Sequence, residues 1–334
     1  MEVPFVIAGR LTREYVLPPI GTPLLDVAGG SALYACGGLL AWNDRVGVLA
    51  RVGEDYPRQW LKEIEGHGVD IDGIQILEQS VDVRAFHAYS TKFEITHSAP
   101  VSQFARRKLT FPKTLLGYQA PPEVQNDSRK PGILAPAAAD IPDTYREARA
   151  VHLCPLDFVS HIQLITAFRA GSVTTVTLDP SPGYMTPPFL DDLPAVLAGV
   201  TAFLPSEQEL RGLFWGQTHD LQEMVSALGA RGCEIVVVKR GSNGQTVFDL
   251  PGKHAWEIPA YPGRPADPTG AGDAYCGGFL AGYRNTYDPL QAALHGNVSA
   301  SLNVEGSGAF YPIGVLSGLA EARLNVLKNL VREI

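Results

Sequence analysis

Residues 267–273 read Asp267-Pro268-Thr269-Gly270-Ala271-Gly272-Asp273 and run straight into Ala274-Tyr275-Cys276-Gly277-Gly278-Phe279-Leu280-Ala281-Gly282-Tyr283. So many small residues after a glycine turn predict a helix packed closely by its neighbours. The turn leaves the first helical amides unpaired and adds the positive end of the helix dipole. That combination is a seat for a phosphate or a developing anion. Asp273 lies inside the turn, where a carboxylate stays ionised and can take the proton of a substrate hydroxyl. An anion cradle and a base within four residues point to phosphoryl transfer to an alcohol. An isolated G-x-G-D would read as a tight turn with a capping aspartate; here the string is much longer.

The remaining chain supplies the frame. Phe5-Val6-Ile7-Ala8-Gly9, Val151-His152-Leu153-Cys154, Val173 to Asp179, Ala202-Phe203-Leu204 and Ile235-Val236-Val237-Val238 are short apolar runs. Helical-length segments separate several of them, which predicts a parallel sheet covered on both faces. Asp179, Ser206 and Lys239 follow such runs, at the sheet edge where open α/β folds bind ligands. Further helices are predicted over Pro57–Gly66, Pro289–Val304 and roughly Leu316–Val331, and a hairpin through Val247-Phe248 and Trp256-Glu257-Ile258. Val81–Glu94 alternates like a strand. Ser98–Lys130 is the least regular stretch, because Pro100, Pro112, Pro121 and Pro122 block long helices and central strands.

Composition narrows the class. A chain of 334 residues, 45% hydrophobic and 19% charged, suits one large soluble α/β domain with an appendage. A formal charge of −8 argues against nucleic acid as a partner. No apolar run reaches membrane-spanning length, and Met1–Gly9 lacks a signal core, so a cytoplasmic protein with no membrane partner is expected. Cys36, Cys154, Cys233 and Cys276 form no C-x-x-C pair and read as buried free thiols, and the histidines show no zinc spacing. There is no P-loop motif.

The unbroken string Asp267–Leu280 resembles the C-terminal signature of the ribokinase-like (PfkB) family of carbohydrate kinases. Gly29-Gly30-Ser31, continued to Asp55, is similar to that family's N-terminal di-glycine motif. Ser206-Glu207-Gln208-Glu209 resembles its N-x-x-E element, with serine for asparagine. Lys239-Arg240-Gly241-Ser242-Asn243-Gly244 looks like its glycine turn beside ATP. The resemblance implies a ribokinase-like three-layer α/β sandwich with a mostly parallel central sheet and a small β lid. It would be one kinase domain over residues 1–334, with lid segments at about 10–17 and 81–130. A homodimer through the lid is a further expectation.

The resemblance also distributes roles. Asp273 is the expected base, with Gly270 beside it in the catalytic turn and the amides of Ala271, Gly272 and Asp273 forming the anion hole. Glu14, Gly29, Gly30 and Tyr34 are expected around the acceptor. Glu14 stands where the family has an aspartate and Tyr34 where many sugar kinases have an asparagine, so the pocket must differ from theirs. Lys239, Gly241, Gly244 and Asn297 are expected at the nucleotide. Glu209 would organise Mg²⁺ through water, although Ser206 and Glu209 also spell a capping box. Asp267 and Thr269 would serve a monovalent cation such as K⁺. The implied activity is ATP-dependent transfer of the γ-phosphoryl group to a small polyhydroxylated substrate, a sugar first. A nucleoside or cyclitol acceptor is the rival, and a non-catalytic sugar or nucleotide sensor is the rival of another class.

Overall fold

The computed structural model describes residues 3–43, 45–120 and 128–334. Pro121 and Pro122, within the predicted lid elaboration, lie outside the described residues. The strands are β1 (Phe5–Ala8), β2 (Thr12–Leu17), β3 (Leu24–Gly29), β4 (Val46–Val52), β5 (Val69–Asp70), β6 (Ile74–Ile76), β7 (Arg84–Tyr89), β8 (Ile95–Thr96), β9 (Ala150–Leu153), β10 (Thr175–Leu178), β11 (Ala202–Phe203), β12 (Ile235–Lys239), β13 (Gln245–Asp249), β14 (His254–Ile258) and β15 (Arg332–Glu333). Eleven form one sheet, ordered β15-β14-β13-β12-β11-β10-β9-β1-β4-β5 with β6 also on β4. From β12 to β5 neighbours run parallel, and the hairpin β12-β13-β14 makes the far edge antiparallel.

Side-chain alternation explains the three layers. In β1, Val6 and Ala8 enter one apolar core while Phe5 and Ile7 enter the core on the opposite face. In β12, Val236 and Val238 face one core and Ile235 and Val237 the other. Strands covered on both sides read as continuous apolar runs, and so the sequence shows them plainly.

The helix Ala271–Thr286 lies against the helices Ser31–Leu40 and Pro289–Asn303. A Cβ built on Gly277 would stand 1.8 Å from the Ala35 carbonyl oxygen, and one on Gly38 2.0 Å from that of Ala274. Backbone touches backbone there, so the glycines are required by contact as much as by conformation. Among the described residues no helix is long and apolar enough to cross a membrane.

A second, four-stranded sheet has the order β3-β2-β7-β8. The predicted pairing of the two lid segments is present: β2 and β7 run parallel, with Glu14 opposite Ala85 and Tyr15 opposite Phe86. Tyr15, Leu17, Phe86 and Ala88 bury their side chains with Phe104 and Leu115, and Leu109, Phe111 and Tyr118 close that cluster. Among its described residues the irregular segment therefore folds back as a cover, with a seven-residue helix at Pro100–Arg106 and a short 3-10 turn at Lys113–Leu115. That apolar face of the small sheet is filled by the chain's own residues 104–118.

Candidate active site

The site forms where β10, β11 and β12 end side by side. Asp179 follows β10, Ser206 follows β11, and Lys239 closes β12 with its amide donating to the Pro205 carbonyl at 2.9 Å. The helix Ala271–Thr286 points its N-terminus at that edge. Its N-cap, Gly270, is left-handed at φ 70°. A Cβ there would lie 2.0 Å from Cγ of Tyr34, because the Tyr34 ring rests on the turn. Asp273 occupies the first helical turn, partly open to solvent. The three-amide cradle needs one correction. The Ala271 amide donates to the Pro268 carbonyl at 3.2 Å, which leaves the amides of Gly272 and Asp273, the latter also bonded to its own carboxylate.

Electrostatics set the state of Asp273. Burial pushes its pKa up to about 6; the Lys239 ammonium opposes this, and the Glu14 and Glu209 carboxylates reinforce it. A group that titrates near neutrality beside an anion seat suits proton transfer. Lys239, expected at a nucleotide phosphate, is instead turned inward. Its ammonium pairs with the Asp179 carboxylate and lies 3.5 Å from the Cys276 sulfur. Burial is the largest single influence and would lower its pKa, but the charge and hydrogen bond of Asp179, with Cys276 and Glu209, together outweigh it and hold the pKa high.

On the small-sheet side, Glu14 is buried and well supplied with donors. Its Oε1 accepts the Gly30 amide at 2.8 Å and the Thr12 hydroxyl at 3.1 Å, and its Oε2 accepts the Tyr34 hydroxyl at 2.9 Å. The carboxyl carbon fills the space beside Gly29 that a side chain there would need, 2.1 Å from an ideal Cβ. Desolvation raises the pKa of Glu14 against these hydrogen bonds. The structure thus unites Glu14, Gly29, Gly30, Tyr34 and Gly270 in one cluster next to Asp273.

The nucleotide assignments fare unevenly. Gly241 opens the turn Gly241–Asn243 with free space around it, whereas Gly244 packs under the Ile258 carbonyl, 2.0 Å from an ideal Cβ. Asn297 is bonded within the chain. Its amide donates to Gln245 at 2.9 Å and to the Pro259 carbonyl at 2.8 Å, and its oxygen accepts the Tyr261 amide at 3.1 Å. It ties the loop after β14 to a helix, and these hydrogen bonds occupy its side-chain amide within the chain. Glu209 makes the capping box: its Oε2 accepts the Ser206 amide and hydroxyl, both at 2.7 Å.

Asp267 and Thr269 hydrogen-bond each other. Asp267 Oδ1 accepts the Thr269 amide at 3.0 Å and its hydroxyl at 2.6 Å. Tyr89 of β7 reaches the same hydroxyl, Oγ1 to phenol oxygen 3.1 Å. The other Asp267 oxygen and the Asn303 side-chain oxygen are buried without a hydrogen-bond partner, and Asn303 donates to the Thr269 carbonyl at 2.7 Å. Asp179, Cys276 and Asn303 were not anticipated as site residues. Only Asp179 carried a signal, its place after an apolar run; the other two face the site by helical phase.

A polar cavity of about 380 Å³, lined by Arg13, Asp55, Tyr56, Asp82 and Arg84 among others, lies at the root of the small sheet. Its lining includes neither Asp273 nor Lys239, and Arg84 is paired with Asp82 and Arg13 with Asp26.

With this geometry in hand, comparison with known proteins is decisive. The model of the pfkB family carbohydrate kinases matches residues 146–314. The chain belongs to the PfkB family. It is a kinase, a phosphotransferase acting on a small substrate. This PfkB kinase is 25% identical over 279 residues to a cytidine kinase of Thermococcus kodakarensis, covering 83% of this chain and 87% of that one. Its fold matches a crystal structure titled a putative ribokinase II of E. coli, with TM-score 0.72 at 18% identity over 98% of this chain and all of the other. A nucleoside kinase of Burkholderia thailandensis in complex with inosine matches with TM-score 0.68 at 16% identity, over 97% and 99% of the two chains.

Proposed function

We propose that this PfkB kinase transfers the γ-phosphoryl group of ATP to a hydroxyl of a sugar or sugar-containing substrate, with Asp273 as general base. The observation that carries this is the placement of Asp273. It is the partly open carboxylate in the first turn of a helix whose N-terminus meets the ends of three parallel strands, with Gly272 beside it. The carboxylate takes the hydroxyl proton as the oxygen attacks phosphorus, and the Gly272 and Asp273 amides hold charge on the transferring oxygens. Glu14, oriented by Gly30 and Tyr34, has one acceptor position left for an acceptor hydroxyl. The small sheet, as a lid, would keep water from competing.

Among the described residues, no group of three or more His, Cys, Asp or Glu side chains could cage a metal ion. Glu209, whose Oε1 is left over from the capping box, would hold Mg²⁺ on the nucleotide through water. Mg²⁺ supplies charge neutralisation between the phosphates. The two orphaned oxygens of Asp267 and Asn303, with the Thr269 loop, suit a monovalent cation such as K⁺. A nucleoside acceptor is the second reading, supported by the relative that spans most of the chain being a cytidine kinase.

ADP release with Mg-ATP across sugars, nucleosides and cyclitols tests all of this. The expected result is turnover on one acceptor class, abolished in Asp273→Asn. Turnover on none of them, with ATP binding intact, would return the protein to a sensor.

A further inference from the structure

Lys239 and Asp179 form a buried ion pair that the mechanism above does not use. Their side chains are 14% and 6% exposed. Taking two charges out of water is costly, and such a pair contributes little net stability over apolar residues of the same volume. The pair also has a direction. Among the described residues, Lys239 Nζ is the one atom outside the turn within 4 Å of a Cβ built on Gly272, at 3.8 Å. The ammonium reaches the glycine turn and the carboxylate stands behind it. Asp179 is anchored from the sheet side, with its amide donating to the Leu153 carbonyl at 2.9 Å and its Oδ2 3.5 Å from the Cys276 sulfur.

We propose that the Lys239 ammonium, clamped by Asp179 beneath the Gly270–Gly272 turn, is a positioning residue that supplies the fixed positive charge of the anion cradle. A helix N-terminus offers only about half a unit charge, and here the Ala271 amide is committed elsewhere. A full charge behind Gly272 completes the cradle without touching the nucleotide. Because the clamp fixes it, no reorganisation is needed when charge develops on the phosphoryl oxygens. The same charge acts on Asp273. The groups around that carboxylate are Glu14 from β2, Glu209 from the helix Glu207–Leu213, Asp179 after β10, Cys154 after β9 and Cys276 on its own helix. Lys239 is the cation of this set, so it keeps the base ionised against its acidic neighbours.

This role rests on the proposed base function of Asp273. Turnover is measured from about pH 5 to about pH 9 in the parent, Lys239→Met and Lys239→Arg, with folding checked by circular dichroism and melting. The expected result is a fall of about 10²-fold in Lys239→Met, with the acid limb of the pH profile moved to higher pH. Lys239→Arg should keep the limb near the parent position. A limb that does not move in Lys239→Met overturns the proposal, whatever the turnover, because an ion pair that merely ties β10 to β12 would not set the titration of Asp273. Should Lys239→Met fail to fold, Lys239→Gln, which removes the positive charge but leaves Asp179 a hydrogen-bond donor and its own charge, is read the same way. Asp273→Asn separates the two ideas. If it retains turnover, the base assignment falls; if it is inactive while the limb in Lys239→Met stays put, only the role of Lys239 falls.

Discussion

Glu14 on the small sheet and Asp273 on the glycine-turn helix are two carboxylates of one pocket, and the chain treats them differently. Three neutral donors hold Glu14 and no cation accompanies it in that set. Asp273 has an ammonium and a helix terminus nearby, with its own amide as its backbone donor. Desolvation raises both pKa values. Hydrogen bonds fix a carboxylate in place, whereas a nearby cation governs whether it carries a proton. The difference teaches why, in the proposed mechanism, Glu14 would hold a partner and Asp273 would exchange a proton with one.

Asp273→Asn should show the largest effect, a loss of roughly 10²–10⁴-fold in turnover, the usual share of a general base. The same variant probes stability. The folded value of about 6 lies above the ordinary aspartate value of 3.8. Proton binding therefore stabilises the fold at low pH, and that contribution is lost as pH rises through about 6. The asparagine variant should melt above the parent at about pH 8, by an amount that shrinks toward about pH 4. Equal melting temperatures at both pH values would show that the charge at 273 is not strained.

On the other side, Phe104→Ala should remove a buried anchor of the small sheet at a cost of about 3–5 kcal/mol. Amide exchange should then accelerate across residues 84–118, with a raised KM for the acceptor and turnover at saturation largely kept. Uniform acceleration throughout the chain would instead make that face part of the global core. Glu14→Gln should raise the acceptor KM by about 10-fold with little change in kcat, since one hydrogen bond to a charged group is weakened. A kcat collapse as deep as that of Asp273→Asn would erase the contrast between the two carboxylates. The smallest effect belongs to Tyr34→Phe, a few-fold rise in acceptor KM for about 1 kcal/mol of lost orientation; an unchanged KM would make the ring alone the useful part of Tyr34.

Much of the fold was legible because parallel strands buried on both faces announce themselves, as Ile235–Val238 and Val151–Leu153 do. The strands β3 and β15 were not. Leu24–Gly29 is mostly half-exposed, and Arg332-Glu333 is two exposed residues paired with β14. The glycine turn and Asp273 were readable from spacing alone, because the motif is local. The pairing of Lys239 with Asp179 was not, since it joins residues 60 positions apart. The partners of Asn297 were hidden for a related reason: Gln245, Pro259 and Tyr261 become neighbours only when the hairpin closes. Charge on a motif residue is visible in sequence; the direction in which it points is not.

The contacts of Gly38 with Ala274 and of Gly277 with Ala35 have a mechanical consequence. The di-glycine segment leads into one helix and the glycine turn into the other, and these helices meet main chain to main chain. The spacing between the di-glycine segment and Asp273 is therefore gauged by the thickness of a polypeptide backbone. No rotamer can change that length, and neither drift in the surrounding side chains nor moderate heating lengthens it. Whatever moves during a catalytic cycle must move around this ruler, at the root of the small sheet.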